Sequence, residues 1–292
     1  MHKIDLIAFD LDGTLLTSAK KILQASKNAI FELKEKGKII TIITGRPLYS
    51  TLPFVRELKL DTYFSVSESS IVLNNKGDLL RDHSIEPDIM SAVLESSSKH
   101  SCHVVWATNR TMTDDFFISV NDYKSTAMKE FIEVESRVYA LDKKLLKIQS
   151  QFSNDDLRAY MVFVLGFKDN ITRLGKELEQ YENHASILSN ISLNPEYHDK
   201  LVGDYDLLIL RPFSRGKMDG MNTILNHYGI PPENAMFFGD WYNDIDALDG
   251  VGYPVLMSNA PEEIKSRDGY FITGSNENDG IIQALKHFNL LS

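Results

Sequence analysis

The most constraining feature of this sequence is a short apolar segment near its start that ends in two carboxylates. Residues 4–9 are almost wholly apolar, and Asp10 and Asp12 follow them in a turn that contains Gly13. Such a run is typical of a strand that is buried on both faces of a parallel sheet. Since ligands bind beyond the carboxyl ends of strands in open α/β sheets, the segment predicts an α/β fold with a binding site near the two aspartates.

The next stretch of chain predicts a βαβ unit. Apolar residues recur at helical spacing over residues 25–36, Gly37 provides a stop, and residues 39–43 form a second apolar run. The crossover between the two strands is expected to be right-handed. A third strand is predicted at residues 63–66, and a β-hairpin within residues 71–84.

This alternation of strands and helices is interrupted and later resumes. Residues 84–211 mix helical and β-like stretches, whereas a helix over residues 217–228 and a strand over residues 235–238 continue the first pattern. We therefore predict a Rossmann-like parallel-sheet core, residues 1–83 and 212–292, with an inserted, smaller α+β cap domain at residues 84–211.

Composition narrows the class of partner. With 43% hydrophobic and 25% charged residues, the chain has the composition of an ordinary globular protein. Its formal net charge of −10 disfavours binding to nucleic acid or to an anionic membrane surface. Cys102 is the single cysteine, and no apolar run approaches the roughly 18 residues of a membrane helix. We expect a cytoplasmic protein that is a monomer or a small homo-oligomer and acts on a small molecule.

The spacing of Asp10 and Asp12 points to phosphoryl transfer. Two carboxylates this close repel each other unless a cation lies between them or one of them holds a proton. Both conditions suit a site in which one carboxylate is a nucleophile and metal ligand while the other shuttles a proton. The structural alternative is that both residues only cap a βα turn.

A second candidate loop follows the next predicted strand. Thr44 offers a hydroxyl, and the backbone N–H groups of Gly45 and Arg46 stand at the start of a predicted helix, where they can hold a phosphoryl oxygen. A plain turn explains this short segment equally well, and Arg46 can equally cover the helix surface.

A third candidate loop follows the predicted strand at residues 235–238. Asp240, Asn243 and Asp244 supply oxygen atoms of the kind that Mg²⁺ prefers, although an N-capping role is the alternative. Lys217 opens the helix before this strand and can bring positive charge to the same edge of the sheet. A lone lysine is more often solvated, and Arg215 is a near alternative.

In this order, the candidate segments resemble the four motifs of the haloacid dehalogenase-like superfamily. The corresponding positions are residues 10–14, residues 44–46, Lys217 and residues 239–244. The place of the insertion resembles the Cof-type phosphatase subfamily with an α/β cap, known as HAD-IIB. Residues 274–280 are similar to the closing segment of that subfamily.

The resemblance implies a role for each matching residue. Asp10 would attack phosphorus to give an aspartyl-phosphate, and Asp12 would protonate the leaving oxygen and then activate water. Thr44 would bind the phosphoryl group, and Lys217 would neutralise Asp10 and the phosphate oxygens. The metal site would hold Mg²⁺ through Asp10, the backbone carbonyl of Asp12, Asp240, and Asp244 directly or through water, and Asn243 would help to orient it. Phosphate and substrate binding would fall to Gly45, Arg46 and Asn243.

These roles describe a magnesium-dependent phosphatase that hydrolyses a small phosphomonoester, either a sugar phosphate or a phosphorylated cofactor. Asp12 favours hydrolysis, because superfamily members that preserve the phosphorylated aspartate carry threonine at this position. Two alternatives stay open at this point. One is a phosphomutase of the same superfamily, and the other is a non-catalytic sensor that binds a phosphorylated metabolite.

The chain departs from the subfamily pattern in two places. Glu68, Ser69 and Ser70 stand where Cof-type relatives usually have Asn-Gly-Ala, which adds an acidic group near the site. Trp241 and Tyr242 are bulky at positions that often hold small residues. They can form a stacking platform or pack the loop, and packing is favoured because aromatic residues beside turns are usually structural.

Overall fold

The computed structural model describes residues 3–111, 113–138, 141–183, 185–189, 205–213 and 216–291. Arg215, the alternative to Lys217, lies outside the described residues. The chain divides into two compact units. The first unit comprises Met1–Arg46, Thr51–Arg81 and Arg215–Ser292, and the second comprises Pro47–Ser50 and Asp82–Ser214.

Strands and helices alternate in the first unit and are mixed in the second. The described strands are β1 (Leu6–Phe9), β2 (Ile39–Ile42), β3 (Phe64–Val66), β4 (Ile71–Leu73), β5 (Leu79–Asp82), β6 (His103–Thr111), β7 (Thr113–Ser119), β8 (Leu146–Gln149), β9 (Met161–Phe167), β10 (Ala185–Ser189), β11 (Tyr205–Pro212), β12 (Ala235–Gly239), β13 (Tyr253–Leu256) and β14 (Phe271–Ile272). The described α-helices are α1 (Gln24–Glu35), α2 (Leu48–Glu57), α3 (Pro87–Lys99), α4 (Val120–Tyr123), α5 (Thr126–Val138), α6 (Lys168–Leu178), α7 (Lys217–Tyr228), α8 (Ile245–Gly250), α9 (Glu262–Lys265) and α10 (Gly280–His287).

A five-stranded sheet forms the centre of the first unit. Its order is β14-β13-β12-β1-β2, and every pairing in it is parallel. All four residues of β1 are buried, as the apolar run predicted. Leu6 and Ala8 belong to one hydrophobic cluster with Met221 of α7 and Leu248 of α8. Because the chain continues from β1 to β2 on one side while β12 pairs on the other, the carboxyl end of β1 lies at a switch point of the sheet.

A second, three-stranded sheet of order β3-β4-β5 extends the first unit. A parallel bridge joins Ile43 to Ser65, so the chain after β2 contacts β3, but β3 pairs antiparallel with β4. The predicted hairpin lies between β4 and β5, where the backbone N–H of Asn74 donates to the carbonyl of Asp78 at 3.0 Å. Gly77 turns the chain there with a φ of 91°, which a residue without a Cβ adopts readily.

The second unit is built on a six-stranded sheet of order β10-β11-β9-β6-β7-β8. Its pairings are antiparallel except for β7 with β8, so it differs from the all-parallel sheet of the first unit. Trp106 and Phe117 are buried in one hydrophobic cluster with residues of α3 and α6. These aromatic side chains therefore form part of a core. Nowhere in the described ranges is there a helix with the length and hydropathy that crossing a bilayer requires.

Candidate active site

Asp10 is placed by β1, an interior strand of the parallel sheet. It follows β1 directly, and its backbone N–H donates to the carbonyl of Phe238 in β12 at 3.0 Å. The ladder between these two strands thus continues one residue beyond β1 and fixes the Asp10 backbone. The residue is only 6% exposed. Its carboxylate is a buried acidic group at the carboxyl edge of the sheet, where the sequence predicts the site.

Lys217 links Asp10 to the loop after β12. Its Nζ donates to Oδ1 of Asp10 at 2.6 Å and to Oδ1 of Asp244 at 2.5 Å. The lysine is 1% exposed and Asp244 is fully buried. Burial alone lowers the pKa of Lys217, but the charges of Asp10 and Asp244 outweigh it and the pKa is raised. The ammonium therefore stays charged, as buried ion pairs require.

Asp240 is held on both carboxylate oxygens. The hydroxyl of Thr14 donates to its Oδ1 at 2.9 Å, and the amide of Asn259 donates to its Oδ2 at 3.2 Å. Gly13 packs beside it: a Cβ at this position would lie 2.1 Å from Oδ2 of Asp240, and its φ of 76° also favours glycine. The glycine of the first motif is therefore required by the close approach of Asp240.

The acidic cluster has more negative charge than Lys217 balances. One oxygen from each of Asp10, Asp240 and Asp244 lies within 4.8 Å of the others. Burial and the neighbouring carboxylate of Asp244 raise the pKa of Asp240 from 3.8 to about 7. Burial also raises the pKa of Asp10, with Lys217 opposing and the other two carboxylates adding to the rise. Buried carboxylate oxygens with uncompensated charge suit a hard divalent cation, so these residues fit a metal ion.

Asp12 faces a different set of partners. Arg46 donates from Nε to Oδ2 at 2.5 Å and from Nη2 to Oδ1 at 2.6 Å, and Lys20 donates to Oδ1 at 2.8 Å. The Arg46 guanidinium also lies 5.6 Å from the ring centre of Phe54. Burial raises the pKa of Asp12, but Arg46 and Lys20 outweigh this effect and lower the pKa to about 2. Arg46 thus binds a carboxylate of the protein here, and its role in phosphate binding stays a prediction.

The loop after β2 contacts the turn after β3. The hydroxyl of Thr44 accepts from the backbone N–H of Arg46 at 3.2 Å. Its carbonyl accepts from the backbone N–H of Glu68 at 3.3 Å. Asn243, from the loop after β12, donates through its amide to Oε1 of Glu68 at 2.7 Å. Asn243, one of the predicted phosphate-binding residues, therefore contacts the Glu68 carboxylate.

The two aromatic side chains that follow Asp240 are partly exposed. Trp241 and Tyr242 are 47% and 46% exposed, and their ring centres lie 5.4 Å apart. The Tyr242 hydroxyl donates to Glu263 at 3.0 Å. The two rings contact each other while about half of each remains exposed, so the favoured expectation that they pack the loop stays a prediction.

Three residues that hold this site together have no individual role in the prediction from the sequence. Thr14 and Asn259 orient Asp240, and Lys20 contacts Asp12. Asn259 carries the clearest signal, since it stands three residues after the end of β13, at the same edge of the sheet as Asp10. Its carbonyl oxygen Oδ1 also accepts from the backbone of Asn276 at 3.2 Å, which joins the segment at residues 274–280 to the site.

Comparison with known proteins settles the family. The model of the haloacid dehalogenase-like hydrolase family matches residues 7–285. This chain belongs to that family. The hydrolase has relatives that are named phosphatases, and it is an enzyme of the phosphatase class.

Two curated relatives align with the hydrolase over nearly its full length. A 5-amino-6-(5-phospho-D-ribitylamino)uracil phosphatase of Bacillus subtilis is 25% identical over 285 residues, which cover 97% of each chain. A pyridoxal phosphate phosphatase of Escherichia coli is 24% identical over 287 residues, which cover 95% of this chain and 96% of the relative.

Solved structures share the fold. A haloacid dehalogenase-like hydrolase from Bacteroides thetaiotaomicron superimposes with a TM-score of 0.77 at 20% identity, covering 98% of this chain and all of the other. A sugar phosphatase of HAD subclass IIB has a TM-score of 0.71 at 18% identity, covering 98% of this chain and all of the other. The α/β architecture of the hydrolase is therefore the HAD fold.

Asn259 provides a first test of how the acidic cluster is oriented. We expect Asn259→Ala to weaken Mg²⁺ binding by about 10–100-fold, because groups that orient a ligating carboxylate typically contribute this much. Titration calorimetry with Mg²⁺ measures the change. Asn28→Ala, on the distant helix α1, is the matched control and should bind like the native protein. Equal affinity in the two variants would show that Thr14 alone suffices to orient Asp240.

Proposed function

We propose that this hydrolase is a magnesium-dependent phosphatase that releases inorganic phosphate from a small phosphomonoester through an aspartyl-phosphate on Asp10. The observation that carries the proposal is the buried cluster of Asp10, Asp240 and Asp244, in which the ammonium of Lys217 contacts Asp10 and Asp244. Such a cluster is costly to fold, and it is retained where a cation and an anionic substrate complete it.

The first half-reaction uses Asp10 as nucleophile. One carboxylate oxygen of Asp10 forms a bond to phosphorus while the ester P–O bond breaks, and Asp12 gives a proton to the leaving oxygen. Lys217, within hydrogen-bonding distance of Asp10, holds the carboxylate in place and offsets charge that develops on the phosphoryl oxygens. Mg²⁺, held by Asp10, Asp240 and Asp244, supplies further charge neutralisation when bound.

The second half-reaction returns Asp10 to its starting state. A water oxygen bonds to phosphorus, the bond between phosphorus and Asp10 breaks, and Asp12 takes up the proton that the water loses. The low pKa of Asp12 beside Arg46 matches this step, since a base must be ionised before it accepts a proton. In the first half-reaction Asp12 must instead carry the proton that it gives to the leaving oxygen. Its carboxylate must therefore separate from Arg46 and Lys20 before it is protonated.

We further propose that the second unit is the cap that selects the substrate. Apart from Pro47–Ser50, its residues lie in the sequence between β5 and α7 of the first unit, at the position that the resemblance implies. Caps of this kind exclude water and contact the leaving group. Two relatives are named for small phosphate esters, one for 5-amino-6-(5-phospho-D-ribitylamino)uracil and the other for pyridoxal phosphate. These names support a substrate of similar size for this hydrolase.

The proposal is tested by assaying phosphate release with Mg²⁺ over a panel of sugar phosphates and phosphorylated cofactors, including the two substrates named above. We expect turnover of at least one ester, with loss of activity on chelation of the metal. A chain that only isomerises an ester without free phosphate is a phosphomutase, and one that binds esters without turnover is a sensor. Either result would replace the proposed activity.

A further inference from the structure

We propose that Glu68 sets the affinity of the phosphate-binding subsite, because its carboxylate contacts Asn243 and Gly45, two residues that are proposed to bind the phosphoryl group. This inference rests on the proposed function, since it takes the loop at residues 44–46 and Asn243 to be the residues that receive phosphate.

The contacts of a single oxygen atom carry the inference. Oε1 of Glu68 accepts a hydrogen bond from the amide of Asn243 at 2.7 Å. The same oxygen lies so close to Gly45 that a Cβ there would be 2.2 Å from it. Both contacted residues are predicted to bind phosphate. The carboxylate therefore already places an anionic oxygen in the part of the site that is expected to receive one.

The backbone holds this carboxylate in place. Ser67, Glu68 and Ser69 have φ values of 52°, 52° and 68°, in the left-handed region that residues with side chains rarely adopt. The backbone N–H of Ser67 donates to the carbonyl of Arg46 at 2.8 Å, and that of Glu68 donates to the carbonyl of Thr44 at 3.3 Å. A strained turn is thus tied directly to the phosphate loop. Strain of this kind persists where surrounding structure imposes it, and it concentrates at functional sites.

The charge of Glu68 opposes a phosphate dianion. The site already contains the carboxylates of Asp10, Asp240 and Asp244, and Glu68 adds a further negative group at its edge. An entering phosphoryl group either displaces the Glu68 carboxylate from Asn243 or binds beside it against repulsion. Both routes weaken binding of phosphate and of phosphate esters. A neutral amide of the same length keeps an acceptor for Asn243 and removes this opposition.

Glu68→Gln tests the inference. With Mg²⁺ present, we expect this variant to bind inorganic phosphate about tenfold more tightly, by calorimetry and by competitive inhibition of ester hydrolysis. The gain with the best ester is expected in KM rather than in kcat, since the change acts on binding. Glu57→Gln removes the same charge from the surface pair with Lys27 and is the matched control, with native phosphate affinity expected.

Phosphate affinity that is unchanged or weaker in Glu68→Gln overturns the inference. Glu68→Asn, which also removes the charge but has a shorter side chain, serves as the second variant if the glutamine variant is unstable. For this variant too, tighter phosphate binding supports the inference, and unchanged or weaker binding overturns it. The calorimetric titration does not depend on turnover. If the native chain binds phosphate but hydrolyses no ester, the proposed function is contradicted. The difference in phosphate affinity between the native chain and Glu68→Gln still shows whether Glu68 opposes the anion.

Discussion

Asp10→Asn is expected to lower phosphate release by about 10⁴-fold or more while the fold is retained, because the amide cannot form the bond to phosphorus. The residue is buried at the end of β1, and the isosteric amide fills the same volume without the charge. Initial rates of phosphate release with Mg²⁺ measure the effect, and circular dichroism checks the fold. Substantial turnover by this variant would exclude Asp10 as the nucleophile.

Stability separates the loss of a nucleophile from the loss of the fold. Burial and the neighbouring carboxylates raise the pKa of Asp10 in the metal-free protein. A raised folded-state pKa means that this group contributes most to stability in acid and loses that contribution as pH rises through the folded value. Asparagine cannot ionise. In chelator near neutral pH, Asp10→Asn should therefore be at least as stable as the native chain towards urea, and its advantage should shrink towards pH 4.

Asp12→Asn is the companion variant for the same experiment. It leaves Asp10 in place but removes the proposed acid and base, which typically contributes 10²–10⁴-fold. We expect slow turnover together with a phosphorylated protein that accumulates and is detected by intact mass, since Asp12 is proposed to activate the water of the second step. Absence of any phosphorylated protein in this variant and in the native chain would argue against the covalent route.

The core elements that place Asp10 and Asp240 could be predicted because each has a strong local signal. β1 and β12 are short, fully buried runs, and both are followed by a turn with acidic residues. Helix α1 is amphipathic and is followed by Gly37, whose φ is 76°. Parallel strands bring their carboxyl ends to one edge, so the meeting of Asp10 with Asp240 followed from topology rather than from any contact in sequence.

The pairing of individual side chains could not be predicted in the same way. Arg46 and Asp12 both belonged to the expected site, but their bidentate contact depends on rotamers that only the folded neighbours fix. Glu68 and Asn243 are 175 residues apart, and no local pattern joins them. The antiparallel pairing of β3 with β4 could not be predicted either, because a strand of three residues shows too little pattern to indicate its direction.

Lys217→Met is expected to lower both activity and stability, since it removes the ammonium that contacts Asp10 and Asp244. Breaking a buried ion pair by deleting one partner typically costs about 3–5 kcal/mol in free energy of unfolding, and urea denaturation in chelator measures it. Phosphate release should fall by about 10²-fold or more, because the charge on the phosphoryl oxygens loses its partner. Lys27→Met, in a partly exposed pair with Glu57, should change stability by less than about 1 kcal/mol.

The double variant Lys217→Met with Asp10→Asn tells whether the lysine stabilises the chain through charge. If its main role is to compensate the buried carboxylates, neutralising Asp10 removes one of the groups left unpaired, and the double variant should be more stable than Lys217→Met alone. If the changes that the two substitutions cause in the free energy of unfolding simply add, the lysine instead stabilises the chain by packing, through the length of its buried side chain. Saturating Mg²⁺ should restore part of the stability of Lys217→Met, since the ion is proposed to bind the same carboxylates, but not its activity.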